Sequence, residues 1–170
     1  MRKTALSLLT CLSAIPLVAQ AQANGMKHTA DEQAIMSAIA DQDAAWNRGD
    51  APAYVQSMLP EATCTNIVGV YFPNRAAFMK NISDILTGLF KGSVNHQTVQ
   101  SIRFVAPDIA VVDTISALSG MARVPVGAEA VDGVMHSRPE MVMVRRPEGW
   151  RITSFHNVTI NPRFLPPEAK

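Results

Sequence analysis

The polar residues with the clearest chemical potential lie in an otherwise apolar segment near the end of the chain, WRITSFHNVTI, residues 150–160. Side chains alternate along a β-strand, so Trp150, Ile152, Ser154 and His156 would share one face. Because this is the more apolar face, the pattern predicts that His156 points into the core. An imidazole titrates near neutral pH and could act as a general acid or base. The alternative is a neutral histidine that is hydrogen-bonded within the core or a subunit interface.

Two further titratable residues occur in apolar strand patterns. His96 shares its period-two row with Phe104, and Asp113 alternates with aliphatic residues of the segment 109–118. A carboxylate among aliphatic residues must be paired or have a raised pKa. If Asp113 faced His96 or His156, it would orient the ring and set its tautomer. The candidate catalytic residues are therefore His156, Asp113 and His96, with a purely structural role for each as the alternative.

A second group of residues could line a ligand pocket. Asp43 lies at the edge of an apolar helix stripe one turn before Trp46, Asn66 and Tyr71 belong to a hairpin pattern, and Met141 and Met143 share one strand face. Methionine side chains adapt their shape and would suit a hydrophobic ligand. The alternative for Asp43 is a solvated charge on the helix flank. For Trp46 and the methionines the alternative is an ordinary place in the core.

Motifs for metals, nucleophilic triads and nucleotides are missing from the sequence. The histidines are dispersed without H-E-x-x-H spacing, and neither G-x-S-x-G nor G-x-G-x-x-G occurs. We therefore expect no metal and no cofactor.

Hydrophobic periodicity and capping residues divide the chain into helices first and strands last. The predicted elements are a helix opened by a capping box at Thr29 and Glu32 and ended by Gly49, a short helix from Asp50 to Pro60, a hairpin from Ala62 to Phe72, a third helix after Asn74, and strands at 94–105, 109–118, 135–146 and 150–160.

This order of helices and strands predicts an α+β fold in which three N-terminal helices pack on a strongly curved, mainly antiparallel sheet that forms a cone. A small-ligand cavity would lie at the mouth of the cone. Because Val, Thr and Ile occupy both faces of the strands, we expect a homodimer through the other face of the sheet.

The N-terminus has the pattern of an export signal. Basic Arg2 and Lys3 precede a short apolar region, and the small residues Ala21 and Ala23 fit the positions that a signal peptidase reads. The apolar region is too short to span a membrane stably. The pattern predicts a signal peptide at residues 1–23, one domain at 24–160, a C-terminal tail at 161–170 and a periplasmic or secreted protein.

Charge and cysteine content narrow the range of partners. Loss of Arg2 and Lys3 would reduce fifteen basic residues to thirteen, against fourteen acidic ones. No basic run is left, which argues against nucleic acid and anionic membrane surfaces as partners. Cleavage would also leave Cys64 as the one cysteine of the mature chain. We expect it to be a buried strand residue and not a reactive thiol.

Three segments resemble a known group of proteins. DAAWNRGD (43–50), RFVAPDIAVVDT (103–114) and MVMVRRPEGWRITSFHN (141–157) are similar to the SnoaL-like, SgcJ/EcaC-type branch of the nuclear transport factor 2 (NTF2) fold superfamily. The resemblance covers nearly the whole mature chain and implies an NTF2-like cone. It does not select an activity, since this scaffold hosts isomerases, dehydratases, cyclases, hydrolases and assembly domains. The name "oxidoreductase" attached to this branch has no nucleotide motif to support it here.

Two hypotheses about function follow. In the first, the domain is an exported, cofactor-independent enzyme that moves protons on a small apolar or aromatic molecule. In the second, it is a non-catalytic module for ligand binding or assembly. The first requires an open pocket in which at least two titratable groups converge.

Overall fold

The computed structural model describes the backbone of residues 15–165 and the side chains from residue 29 onward. The basic start of the predicted export signal and the end of the predicted tail lie outside the described residues. The elements are α1 (Ile15–Asn47), α2 (Ala51–Tyr54), β1 (Met58–Thr65), β2 (Tyr71–Phe72), α3 (Arg75–Thr87), β3 (Val94–Ala106), β4 (Ile109–Ser119), β5 (Ala130–Val131), β6 (Val134–Arg146) and β7 (Gly149–Thr159), followed by a 3₁₀ turn (Pro162–Phe164). Within the described residues, no helix is both long enough and apolar enough to cross a bilayer.

The strands form one sheet in the order β2-β1-β7-β6-β4-β3, with the short β5 paired to β6. The strands β3, β4, β6 and β7 pair antiparallel as neighbours, so the predicted meander of four long strands is confirmed. The sheet is mixed, because β1 runs parallel to β7. The helices pack on one face of this curled sheet, which confirms the predicted α+β cone.

Local capping explains where the helices next to the sheet begin. The Asp50 side chain accepts from the Ala53 N–H at 3.0 Å and starts α2, and Asn74 accepts from the Ala77 N–H at 2.9 Å and starts α3. Gly49 ends α1 with φ of 71°, a conformation that glycine adopts without steric strain.

Two predicted helix boundaries are wrong. The first helix does not start at Thr29, since α1 continues back to Ile15. The second helix stops at Tyr54 and does not reach Pro60. The segment from Met58 onward belongs instead to β1, where pairing with β7 and burial outweigh the local helical pattern.

A β-bulge in each of two long strands changes which side chains point inward. The pairing of β3 with β4 passes over Gln100, and the pairing of β7 with β6 passes over Thr153. One extra residue shifts the alternation of side chains by one position. The inward-facing residues are therefore odd-numbered on one side of a bulge and even-numbered on the other. In β7 the buried residues change from Trp150 and Ile152 to Phe155.

A cluster of one carboxylate, one guanidinium and one indole ring joins α1 to the strands β6 and β7. Buried Asp31 of α1 pairs with the Arg145 guanidinium of β6 and accepts from the Trp150 indole N–H at 3.3 Å. The guanidinium carbon of Arg145 also lies 4.8 Å from the centre of the Trp150 ring. The hydrogen bond to Asp31 raises the pKa of Arg145. Such a buried pair specifies one packing geometry, because separating it would leave a charge without its partner.

Candidate functional site

A cavity with a volume of about 460 Å³ lies inside the cone, between α3, the inner face of the sheet and the loops at 66–70 and 123–126. Its aromatic lining residues are Trp46, Tyr54, Phe78, Phe90 and Phe155. These rings contact one another in a chain. Centroid distances are 5.6 Å from Trp46 to Tyr54, 5.7 Å from Trp46 to Phe90 and 5.7 Å from Phe78 to Phe155. The cavity therefore has rigid, mainly apolar walls.

A band of polar side chains crosses the sheet on the cavity side. It consists of Asn95 and Gln97 of β3, Ser116 of β4, Ser137 of β6 and Asn157 of β7, and we call it the polar band. Gln97 lies opposite Ser116, which lies opposite Ser137, so these three form one row across three strands. The sheet register, and not the local sequence, brings them together.

Asp43 of α1 holds the β3 end of the polar band in place. Its carboxylate accepts from the Asn95 side-chain amide at 2.6 Å, from the Gln97 backbone N–H at 2.6 Å and from the Gln97 side-chain amide at 3.2 Å. Asp43 is nearly buried, where hydrogen bonds to a charged acceptor are strong. It does not itself line the cavity, so its role is to orient the two amides that do.

The amide oxygens of the polar band are also engaged. The Ser116 hydroxyl donates to Asn95 Oδ1, and the Thr114 hydroxyl lies 3.3 Å from Gln97 Oε1. A primary amide has two N–H groups, so Asn95 and Gln97 each keep one beyond the bond to Asp43. At the other end of the band, Asn157 Oδ1 is buried without a hydrogen-bond partner in the described part of the chain.

The hairpin between β1 and β2 shapes the mouth of the cavity. Asn66 Oδ1 accepts from the backbone N–H of Val68 at 3.1 Å and of Val70 at 2.9 Å. Gly69 allows the tight turn with φ of 79°. These bonds place two exposed valines at the rim.

Burial disfavours the ionised forms of Tyr54, which lines the cavity, and of Cys64 in β1. Burial raises the pKa of Tyr54, and the nearby Asp43 carboxylate raises it further. Burial also raises the pKa of the Cys64 thiol to about 12, and Cys64 is a buried residue of β1, as predicted. Among the described residues that line the cavity there is no carboxylate and no imidazole. The described part of the chain also contains no group of His, Cys, Asp and Glu that could hold a metal ion.

The orientations predicted for two of the candidate catalytic residues, His156 and His96, are wrong. His156 is exposed on the opposite sheet face, because the bulge at Thr153 reverses the alternation before it. The His96 side chain is 78% exposed. The bulge at Gln100 lies between His96 and Phe104, so these two residues point to opposite faces of the sheet.

Asp113 also lies on the outer sheet face, by which we mean the face opposite the cavity. Its carboxylate is paired, as its aliphatic strand row predicts, but it accepts from Nε and Nη2 of Arg138 and not from a histidine. The strand β4 is apolar on both faces, so its sequence pattern could not distinguish inside from outside.

The predicted ligand-binding residues divide into two groups. Trp46 and Asn66 line the cavity, whereas Asp43 lies behind its wall. Tyr71 is 59% exposed and lies outside the lining. The two methionines, Met141 and Met143, are fully buried and do not reach the cavity. They are core residues, which is the alternative given for them from the sequence.

The polar band was not predicted from the sequence. Asn95 and Gln97 occupy alternate positions of a strand, which is the signal that could have revealed a polar inner face. Ser137 gave no such signal, since it is flanked in its strand row by Met135 and Pro139. Asn157 gave none because simple alternation along β7 places it on the face opposite Trp150.

Comparisons with known proteins support the fold. No protein-family model matches the sequence, and no curated protein matches it significantly. A solved domain of unknown function with a cystatin-like fold from Nostoc punctiforme is 24% identical, with a TM-score of 0.66 over 82% of this chain and 81% of that one. An NTF2-like protein with a cystatin-like fold from Novosphingobium aromaticivorans is 18% identical, with a TM-score of 0.63 over 92% of this chain and 96% of that one.

A hexachlorocyclohexane dehydrochlorinase from Novosphingobium barchaimii is 12% identical, with a TM-score of 0.66 over 84% of this chain and 99% of that one. Because these three structures are only 24%, 12% and 18% identical to this chain, their similarity to it concerns the fold alone. The chain has the NTF2-like fold, as its sequence predicts, and its place in the SnoaL-like branch stays a prediction.

Replacing Asp43 with asparagine should destabilise the protein by about 2–3 kcal/mol, because the buried N–H groups of Asn95 and Gln97 would lose a charged acceptor. Urea unfolding measures this change. The matched control is Asp84→Asn, which removes an exposed carboxylate paired with Lys80 and should change stability by less than about 0.5 kcal/mol. Equal effects of the two substitutions would contradict the role of Asp43.

Proposed function

We propose that this NTF2-like domain binds one small, mainly apolar molecule inside its cone and does not transform it by acid–base catalysis. The observation that carries the proposal is the cavity of about 460 Å³ with aromatic walls and one polar band. Its size lies within the range of small-molecule sites, which combine apolar walls with a few placed polar groups.

The hydrogen-bonding groups of the polar band select the ligand chemistry. The uncommitted N–H groups of Asn95 and Gln97 would donate to an acceptor such as a carbonyl oxygen. At the other end, the Asn157 side-chain N–H groups would donate to a hydroxyl oxygen. The aromatic walls favour a flat ring system between these points. A ring compound that carries a ketone and a hydroxyl group fits this arrangement.

Binding fits the site better than acid–base catalysis does. A general base must lie within hydrogen-bond reach of the proton that it removes. The histidines at 96 and 156 are exposed, and Asp113 is bonded to Arg138 on the outer sheet face. The carboxylate behind the cavity wall, Asp43, already accepts three hydrogen bonds from residues of that wall. The dehydrochlorinase shares the fold, but the described lining offers no group for proton abstraction.

Ligand binding should be visible through tryptophan fluorescence, because Trp46 lines the cavity and Trp150, the other tryptophan, lies in the core. Acetophenone, hydroxyacetophenone and cyclohexanone serve as probes, first by thermal shift and then by emission. We expect hydroxyacetophenone to bind most tightly and to change the emission of the parent and of Trp150→Phe, but not of Trp46→Phe. Consumption of a probe would favour the enzyme hypothesis. If no probe binds, or if Trp46→Phe keeps the full response, the proposal fails.

We also propose a homodimer through the outer sheet face. On this face Val111 of β4 lies opposite Val142 of β6, beside the pair formed by Asp113 and Arg138. A half-buried aliphatic patch with a satisfied ion pair is suited to a subunit interface.

The substitution Val111→Arg should convert the dimer into a monomer, because it places an unpaired charge in the interface. Size-exclusion chromatography with light scattering would then show about half the mass of the parent. Val126→Arg is the control, since Val126 is 96% exposed at the cavity mouth and should leave the mass unchanged. A parent protein with the mass of one chain, 18.4 kDa or less, would contradict the dimer.

Finally, we propose that the protein is exported and cleaved before Asn24, on the strength of the basic, apolar and small-residue order of residues 1–23. Mass spectrometry of the protein from the periplasm or medium should give a chain that begins at Asn24. Recovery of the uncleaved chain in the cytoplasm would overturn this.

A further inference from the structure

Arg123 is the one charged side chain among the described residues that line the cavity of the cone. It lies in the loop between β4 and β5, at the start of the segment 123–126 that borders the cavity mouth. The described lining contains no carboxylate that could neutralise this charge. Within the described part of the chain, the Arg123 guanidinium also has no ion-pair or hydrogen-bond partner. The mouth therefore carries a positive charge without a counter-charge.

The surroundings of Arg123 at the mouth are apolar. Val124 and Val126 follow it in the same loop, and Val68 and Val70 belong to the hairpin loop that borders the cavity. All four valines are exposed. A ligand that extends from the cone to the mouth would cover part of this apolar surface and exclude water from it. An ion pair formed beside such surface is stronger than one in open water, because the local dielectric constant is lower.

The amide side chains of the cavity present hydrogen-bond donors to a ligand. Asn66 Oδ1 accepts from two backbone N–H groups of its own turn, so its Nδ2 group is the part left for a ligand at the mouth. Deeper in the cone, Asn95 Oδ1 and Gln97 Oε1 are engaged by hydroxyl groups, and Asn157 Oδ1 is buried. These four amides therefore offer N–H groups and not oxygens. Together with Arg123 they favour a ligand that is rich in acceptors.

We propose that the ligand of the cone is an organic acid whose carboxylate pairs with Arg123 at the mouth. The inference rests on the binding function proposed above and specifies the chemical class of its ligand. A guanidinium matches a carboxylate through two parallel hydrogen bonds. The ring of the acid would lie between the aromatic walls, and a carbonyl oxygen on the far side of the ring would accept from the polar band. An aromatic acid with a ketone opposite its carboxylate has this order of groups.

A matched pair of probes, 4-acetylbenzoate and its neutral analogue 4-acetylbenzamide, tests the inference on the full chain. The two share the ring and the ketone and differ in charge. Titration followed by calorimetry and by tryptophan emission should show that the acid binds at least about tenfold more tightly than the amide. Added salt should reduce this difference, since it screens the charge at the mouth.

The outcomes for the two probes separate this inference from the function on which it rests. If the amide binds and the acid binds no more tightly, the assignment of an acid fails and the binding function stands. If neither probe binds, both fail.

Variants of Arg123 identify the residue that reads the carboxylate. Arg123→Gln should weaken binding of 4-acetylbenzoate by about tenfold, with a smaller loss for 4-acetylbenzamide, which has no charge to pair. Arg123→Lys keeps the charge but not the two parallel donors, so its loss should be intermediate. Because Arg123 is exposed, neither substitution should lower Tm.

The matched control is Arg146→Gln, which removes an exposed arginine at the end of β6, outside the cavity lining. It changes the net charge as Arg123→Gln does and should leave the affinity for both probes unchanged. Equal losses for acid and amide in Arg123→Gln, or an equal loss of acid binding in Arg146→Gln, would overturn the role of Arg123.

Discussion

The position of one carboxylate, Asp43, determines how the first helix meets the sheet. Its two oxygens accept three N–H donors from β3, so helix and strand have one relative register. Trp46 follows one turn later on the same helix and donates its indole N–H to Ser93 at 3.0 Å, just before β3. The aromatic wall and the polar band of the cavity are thus placed by the same turn of helix. A small shift of this turn along β3 would leave buried N–H donors without acceptors. The hydrogen bonds to Asp43 therefore favour one position of α1 relative to β3.

Much of the fold could be predicted from the sequence, because helix and strand periods are local signals. The four long strands, the hairpin with its turn at Gly69 and the cap at Asp50 all occur where the pattern places them. The second helix was predicted too long because the segment at Met58 pairs with a strand near the other end of the chain. Propensity is a weak signal where such long-range pairing competes with it.

The candidate site was harder to predict, since it depends on which face of each strand points inward. The bulges at Gln100 and Thr153 each contain one extra residue, which exchanges the inward-facing and outward-facing positions beyond it. No sequence motif marks either bulge. In β4 both faces are apolar, so alternation carries no information about Asp113. The row of Gln97, Ser116 and Ser137 exists only through the register of three strands, and register is a property of the assembled sheet.

The place of β7 in the sheet has a consequence for the order of events during synthesis. This strand is the last of the chain, yet it lies between β1 and β6, and Ile152 pairs with Met58 across most of the domain. The sheet can close only after the final strand has left the ribosome, because contacts of such large sequence separation form late. Until then β1 and β6 lack the strand that lies between them in the sheet. The export proposed above would therefore begin on a chain whose sheet is still open.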